Sequence, residues 1–221
     1  MFNKIRYDIQ AIIERDPAAR NAWEVFFLYP CVHALISHRF AHWLYKHKRY
    51  FLARYVSQRT RKKTGIEIHP AAKIGRGLFI DHGMGVVIGE TVEIGENCTL
   101  YQGVTLGGTG KDKGKRHPTL GDNVMVGSGA KVLGPFHVGD NVKIAANAVV
   151  LNEIPPNSTC VGVPARIVKL DNRKVSPFCN DFDQIHMPDP VSMELCKMLM
   201  RVEALEKLNN ISPTAGKEDS Q

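Results

Sequence analysis

The sequence has no apolar run long enough to cross a bilayer. Its longest, Ala22 to Ile36, is interrupted by Glu24, Pro30 and His33, whereas a spanning helix needs about 20 consecutive apolar residues. Lys4, Arg6 and Asp8 stand near the N-terminus with no apolar segment behind them, so no secretory leader is expected. Cysteine is sparse. Cys31, Cys98, Cys160, Cys179 and Cys196 lie far apart, form no C-x-x-C pair and are odd in number. That argues against a disulfide framework and for reduced thiols in a cytoplasmic protein. Acidic residues are outnumbered, 22 against 29 Lys and Arg, leaving a formal net charge of +7. A basic surface attracts anions, but charge alone points no further than solubility. Neither a membrane nor nucleic acid is expected as a partner.

What is present begins with helical periodicity. Ile5, Ile9, Ile12 and Ile13 fall at helical spacing until Asp16-Pro17 interrupts them. Pro30 is placed to open a second helix. Its apolar stripe would be Leu35, Ile36, Phe40, Trp43 and Leu44, and Phe51, Leu52 and Val56 continue into a third. His33, His38, His42 and His47 are spaced by four or five residues. Without an accompanying Cys or carboxylate cluster they read as packed or surface histidines, and no metal site is expected. This helical segment is expected over residues 1–64.

From residue 68 the period changes. Aliphatic residues or their substitutes recur every six positions at Ile68, Ile74, Ile80, Val86, Val92, Cys98 and Val104. They resume at Leu120, Val126, Val132, Val138, Ile144 and Val150, with glycine often following, as at Gly75, Gly121, Gly127 and Gly139. A period of six fits neither a helix nor a hairpin sheet. It marks a parallel β-helix, three hexapeptides per triangular coil, with the coils stacked over a continuous core. The fold class is therefore α+β, a helical domain followed by a β-helix over 65–170.

Sixteen residues separate Val104 from Leu120, which is not a multiple of six, so a glycine- and lysine-rich loop from about Gly107 to Thr119 must leave the coil. Loops on rigid scaffolds commonly carry function. Beyond the coils, Val191, Leu195, Met198, Val202 and Leu205 follow a four-three spacing flanked by Arg201 and Glu206. A helix at 190–209 is expected in this tail of 171–221, either a trimeric coiled coil or a lone amphipathic helix.

Several runs resemble the serine O-acetyltransferases, a family of hexapeptide-repeat acyltransferases. They are G-I-E-I-H-P-A-A-K-I-G-R-G-L-F-I-D-H-G-M-G-V-V-I-G-E-T from Gly65 to Thr91, V-T-L-G-G-T-G…R-H-P from Val104 to Pro118, G-V-P-A-R from Gly162 to Arg166 and R-D-P-A from Arg15 to Ala18. The likeness covers about residues 8–170. The D-H-G and G-G-T-G…R-H-P elements are specific to that family; the hexapeptides alone are shared more widely. The resemblance implies left-handed coils and acetyl transfer from acetyl-coenzyme A, a co-substrate rather than a resident cofactor, to the hydroxyl of L-serine.

It also implies site residues, and each suits its chemistry. His82 would be the general base, since imidazole titrates near neutrality. Glu67, fifteen residues earlier and nearly one coil away, would orient it, with glutamate standing where better-known members carry aspartate. Asp16 and Asp81 would hold the serine ammonium, and Arg116 and His117 its carboxylate. Gly107, Gly108, Thr109, Ser128, Lys143, Ala145 and Ala146 would line the coenzyme A groove. L-cysteine, matching serine but for sulfur, is expected as a feedback inhibitor. A prism has no deep internal pocket, so clefts between subunits and a homotrimer are expected; some members join two trimers into a hexamer. The ending Glu218-Asp219-Ser220-Gln221 lacks the terminal isoleucine that inserts into O-acetylserine sulfhydrylase in many members, so that complex is not expected.

Three other readings stay open. A hexapeptide acetyltransferase acting on a sugar or antibiotic hydroxyl would keep the histidine but not Asp16 with Arg116-His117. A β-helix carbonic anhydrase needs three zinc-binding histidines, and Asp122 stands near where a third would fall. A non-catalytic scaffold would have no use for an outward histidine and a long basic loop.

Overall fold

The computed structural model of the protein describes residues 2–110, 113–171 and 173–174, with 198, 201–202 and 204–205 nearer the C-terminus. Four helices open the chain, α1 (Phe2–Arg15), α2 (Ala22–Leu28), α3 (Pro30–Lys46) and α4 (Tyr50–Thr64). The short α2 was not anticipated. Asn21 caps it, its side-chain oxygen accepting the Glu24 N–H at 2.9 Å. Pro30 occupies the first turn of α3, as expected. Gly65, in the left-handed conformation at φ 74°, ends α4 by donating its N–H to the Arg61 carbonyl.

The apolar stripes of α3 and α4 differ from expectation. Phe40 and Trp43 stack on each other in solvent, and Phe51 and Leu52 are exposed. The buried face of α3 is Cys31, Val32, Ala34, Leu35, His38, Ala41 and Leu44, and that of α4 is Ala53, Ser57 and Thr64. Small residues let α3 and α4 lie close together and against the coils. The Ser57 hydroxyl donates to the Ile68 carbonyl at 2.6 Å.

The β-helix follows as expected, in thirteen short strands from β1 (Glu67–Ile68) to β13 (Val149–Val150). They form three parallel ladders, β1-β4-β7-β10-β13, β2-β5-β8-β11 and β3-β6-β9-β12. The last ladder is extended by β14 (Ser158–Val161), then antiparallel by β15 (Arg166–Leu170) and β16 (Arg173–Lys174). Most strands bury one residue, as at Ile88, Leu106, Val132 and Val150, and the turn before usually buries another, as at Val86, Val104, Ala130 and Ala148. Corners repeat too: Asn97, Asn123, Asn141 and Asn157 all take positive φ, and Asn141 links its neighbours by side-chain bonds of 3.2 and 2.9 Å.

The register corrects the period in one place. Ile68 pairs with Ile88, twenty residues on, and Ile88 with Leu106, eighteen on. The six-residue column therefore slips by two: Ile68, Ile74 and Ile80 are strand positions, whereas Val86, Val92, Cys98 and Val104 are the inward turn positions. The slip is an insertion between β3 and β4, six residues (81–86) where β2 and β3 are joined by four (75–78). Helices and coils share one compact unit, Met1–Val175. In the second unit, Met198, Val202 and Leu205 are helical and exposed; Val191, Leu195 and Glu206 lie outside the described residues, so the expected coiled coil does too.

Candidate active site

The two-residue insertion carries His82. Three of four consecutive residues take positive φ, 56° at His82, 70° at Gly83 and 75° at Gly85, and turn the chain outward. The Gly83 N–H donates to the Asp81 carbonyl at 2.6 Å and Met84 to His82 at 2.9 Å, closing the bulge on itself. A histidine in the left-handed region is uncommon, and such residues gather at functional sites. The imidazole is 74% exposed, and its Nε2 lies 3.9 Å from Asp81 Oδ1.

Asp16 comes to the neighbourhood of this corner from the end of α1. The mooring is Arg15. Its Nε donates to the Ala11 carbonyl at 2.8 Å, and its terminal nitrogens reach the carbonyls of Gly77, Asn97 and Cys98 and the Thr99 hydroxyl. Asp16 Oδ1 accepts the Ala18 N–H at 2.8 Å, and Oδ2 accepts the hydroxyl of Tyr29 at 2.6 Å. Burial pushes the Tyr29 phenol up to about 12, helped by this bond and by the charges of Asp16, Glu24 and Asp81. Asp16 and Asp81 thus both bear on one hydroxyl. Sequence reasoning passed over Arg15 and Tyr29. For Tyr29 the signal was the Tyr-Pro pair, which forces an extended residue between two helices.

Glu67 points outward from β1. Its oxygens lie 3.2 Å from Arg61 and 3.9 Å from Arg54 of α4. Among the described residues it makes no hydrogen bond or ion pair with His82. The twenty-residue first coil sets Glu67 beside Val87, past the corner that bears His82.

Arg116 and His117 lie at a different corner, where the long loop between β7 (Thr105–Gly107) and β8 (Thr119–Leu120) returns. Thr91 gathers them. Its hydroxyl oxygen accepts the N–H groups of Arg116 and His117, each at 3.1 Å, while its own N–H donates to His117 Nδ1 at 3.2 Å. Nδ1 acting as acceptor puts the neutral ring's proton on Nε2. Burial, then the Arg116 charge, holds the His117 pKa below the usual imidazole range. The Arg116 guanidinium pairs with Glu90. Gly89 is required beneath them, because a Cβ there would run into the His117 ring.

The expected coenzyme A residues divide in the same way. Gly107, Gly108 and Thr109 start the long loop. Ser128, Ala145 and Ala146 lie on the coils that continue the His82 corner, and Lys143 is exposed on β12 (Lys143–Ile144) just before it. The structure therefore forms two groups within one chain, at the two edges of the β1-β4-β7-β10-β13 ladder: Asp16, Tyr29, Asp81, His82 with Ser128, Ala145 and Ala146, and Gly107 to Thr109 with Arg116 and His117.

The chain is similar to proteins already known. The family described as bacterial transferase hexapeptide (six repeats) matches residues 117–152. The serine acetyltransferase of Staphylococcus xylosus is 56% identical over 200 residues, 90% of this chain and 91% of that protein. The crystal structure of the Neisseria gonorrhoeae serine acetyltransferase in complex with serine superposes with a TM-score of 0.74 at 43% identity, covering 76% of this chain and 69% of that one. A serine acetyltransferase in complex with cysteine gives 0.74 at 46% identity, over 76% of this chain and 65% of that one. The coils are those of the left-handed β-helix, and the chain belongs to the serine acetyltransferase family.

Proposed function

We propose that the protein transfers the acetyl group of acetyl-coenzyme A to the hydroxyl of L-serine, giving O-acetyl-L-serine and coenzyme A, with His82 as general base. The observation that carries the reading is the solvent-facing His82 on its inserted corner beside Asp81, whose charge acts with that of Asp16 on the Tyr29 hydroxyl. Two carboxylates there suit an ammonium. A relative solved with serine supports the acceptor.

The reaction is direct transfer within a ternary complex. The imidazole takes the proton of the serine hydroxyl as its oxygen attacks the thioester carbonyl. A tetrahedral oxyanion forms, and the carbon–sulfur bond then breaks. The imidazolium returns its proton to the leaving thiolate, so the base is regenerated. Glu67, which pairs with Arg61 and Arg54, would have to turn towards His82 to steady the imidazolium. None of the described cysteines suits acyl-cysteine chemistry: Cys31, Cys98 and Cys160 are buried, and burial pushes their thiols up to about 12, 11 and 11. Those free thiols fit a cytoplasmic enzyme, and among the described residues no helix is long and apolar enough to cross a membrane.

The serine carboxylate is held by Arg116 and His117. They stand at the other edge of the ladder from His82, so one chain cannot close the site; the second edge comes from a neighbouring subunit, as in a homotrimer of parallel prisms. Coenzyme A lies in the same cleft, between Gly107, Gly108 and Thr109 of one subunit and Ser128, Ala145, Ala146 and Lys143 of the next. L-cysteine competes for the zwitterion site, as a relative solved with cysteine supports.

Thiol release from acetyl-coenzyme A tests this, with L-serine offered beside L-homoserine, a galactoside and chloramphenicol. Serine-dependent release that falls by at least about a hundredfold in His82→Ala is expected. Release with only a sugar or drug would transfer the mechanism to another acceptor, and release that survives in His82→Ala would remove the base.

A further inference from the structure

The ammonium site proposed above has two carboxylates, but an ammonium group has three N–H donors. Tyr29 is placed to supply the third acceptor. It lies between α2 and α3 and precedes Pro30, so its backbone is extended, with φ −81° and ψ 117°. A residue so placed belongs to neither helix face, and its ring reaches back across thirteen residues to Asp16. Its hydroxyl gives its single proton to Asp16 Oδ2 at 2.6 Å. The Ala18 N–H holds Oδ1 at 2.8 Å. One donor on each oxygen fixes the plane of the Asp16 carboxylate. The phenolic oxygen keeps its lone pairs, at a point where the charges of both Asp16 and Asp81 are felt.

We propose that Tyr29 completes the ammonium site: its O–H orients Asp16, and its oxygen accepts the third N–H of the substrate ammonium. The inference rests on the serine reading and deepens it. It makes Tyr29 a specificity-determining residue for alcohols that carry a primary ammonium. Tyr29 takes no part in proton transfer. Its phenol, pushed up to about 12, stays protonated across the neutral range, so the donor role is constant.

Tyr29→Phe keeps the ring and removes only the hydroxyl. The experiment measures kcat and KM for L-serine at saturating acetyl-coenzyme A, KM for acetyl-coenzyme A at saturating serine, and the inhibition constant of 3-hydroxypropionate, which lacks the amine. The serine KM should rise roughly 10- to 100-fold, the range for a hydrogen bond to a charged group. A residue that contributes only to binding leaves kcat within about threefold. The acetyl-coenzyme A KM and the 3-hydroxypropionate constant should not move. A serine KM within about twofold of the wild type overturns the proposal. So does a rise in which serine and 3-hydroxypropionate weaken together, since that marks a structural role. The wild-type control separates the two levels. Without serine-dependent release in the wild type, the serine reading falls and Tyr29's role with it; with release in the wild type and an unchanged Tyr29→Phe, only the role of Tyr29 falls.

Discussion

His38 should make the protein sensitive to mild acid. It is buried on the face of α3 that packs against the first coil, and among the described residues its Nδ1 has no partner. Burial, then the nearby His42 and Arg39, holds its pKa at about 3 against an ordinary 6.5, although a backbone hydrogen bond at Ala72 pulls the other way; His69 adds to the lowering. The sign follows directly. Above pH 6.5 the ring is neutral in folded and unfolded chains alike and contributes nothing. As pH falls through 6.5, the unfolded chain takes up a proton that the folded one refuses, so stability is lost until about pH 3. One pH unit in this window corresponds to about 1.4 kcal/mol, so the loss is about 2 kcal/mol at pH 5. His38→Leu removes the titration. Urea unfolding at pH 7.5 and pH 5.0, at one protein concentration, should show the wild type losing about 2 kcal/mol more than the variant. His69, His117 and Asp8 also carry shifted pKa values, but they titrate in both proteins and cancel. Equal losses would mean that the folded protein accommodates a charged His38, and the reasoning from burial would be wrong.

Other variants probe the site. Arg15→Met leaves the carbonyls of Gly77 and Asn97 without the donor that moors them, while that of Cys98 keeps the Phe79 N–H, at about 1–3 kcal/mol for each that water does not reach; thermal unfolding should drop by several degrees, and an unchanged melting temperature would count against the mooring. Gly89→Ala should raise the serine KM by displacing the His117 ring, with the acetyl-coenzyme A KM as the control. If Glu67 steadies His82, Glu67→Gln should lower kcat about 10- to 100-fold; an unchanged kcat would confine Glu67 to its pairs with Arg61 and Arg54. Mixing unfolded His82→Ala and Arg116→Ala chains in equal amounts and refolding them should restore about a quarter of wild-type activity, because one interface in four then joins two intact edges. No recovery would place the whole site within one chain.

The coils were legible because each hexapeptide repeats the same inward demand. The two-residue slip was not, because a turn also buries a residue two places before the buried residue of the strand that follows. Val86 therefore looks as good a member of the column as Ile88, and both are fully buried. In α3 the expected stripe held at Leu35 and Leu44, but large residues such as Phe40, Trp43 and, in α4, Phe51 widened it onto the exposed face, since close packing selects Ala34, Ala41 and Ala53. Motifs brought out His82, Asp81, Asp16, Arg116 and His117. Their division between two corners depends on strand order, which no local pattern encodes. Tyr29 escaped notice because its role is set by a contact with Asp16 across a helix that the sequence did not announce.

A solenoid has near-translational symmetry: every coil offers the same three corners, and nothing in a perfect repeat distinguishes one from the next. A ligand would then find several equivalent addresses and no preferred one. This chain breaks the repeat at residues 81–86 and again after β7, at the two edges of one ladder. Each break gives one corner an identity the others lack. The irregularities thus fix a single location on a scaffold that otherwise has none, and shifting either by one coil would move its half of the site about 5 Å along the prism axis, out of register with the other.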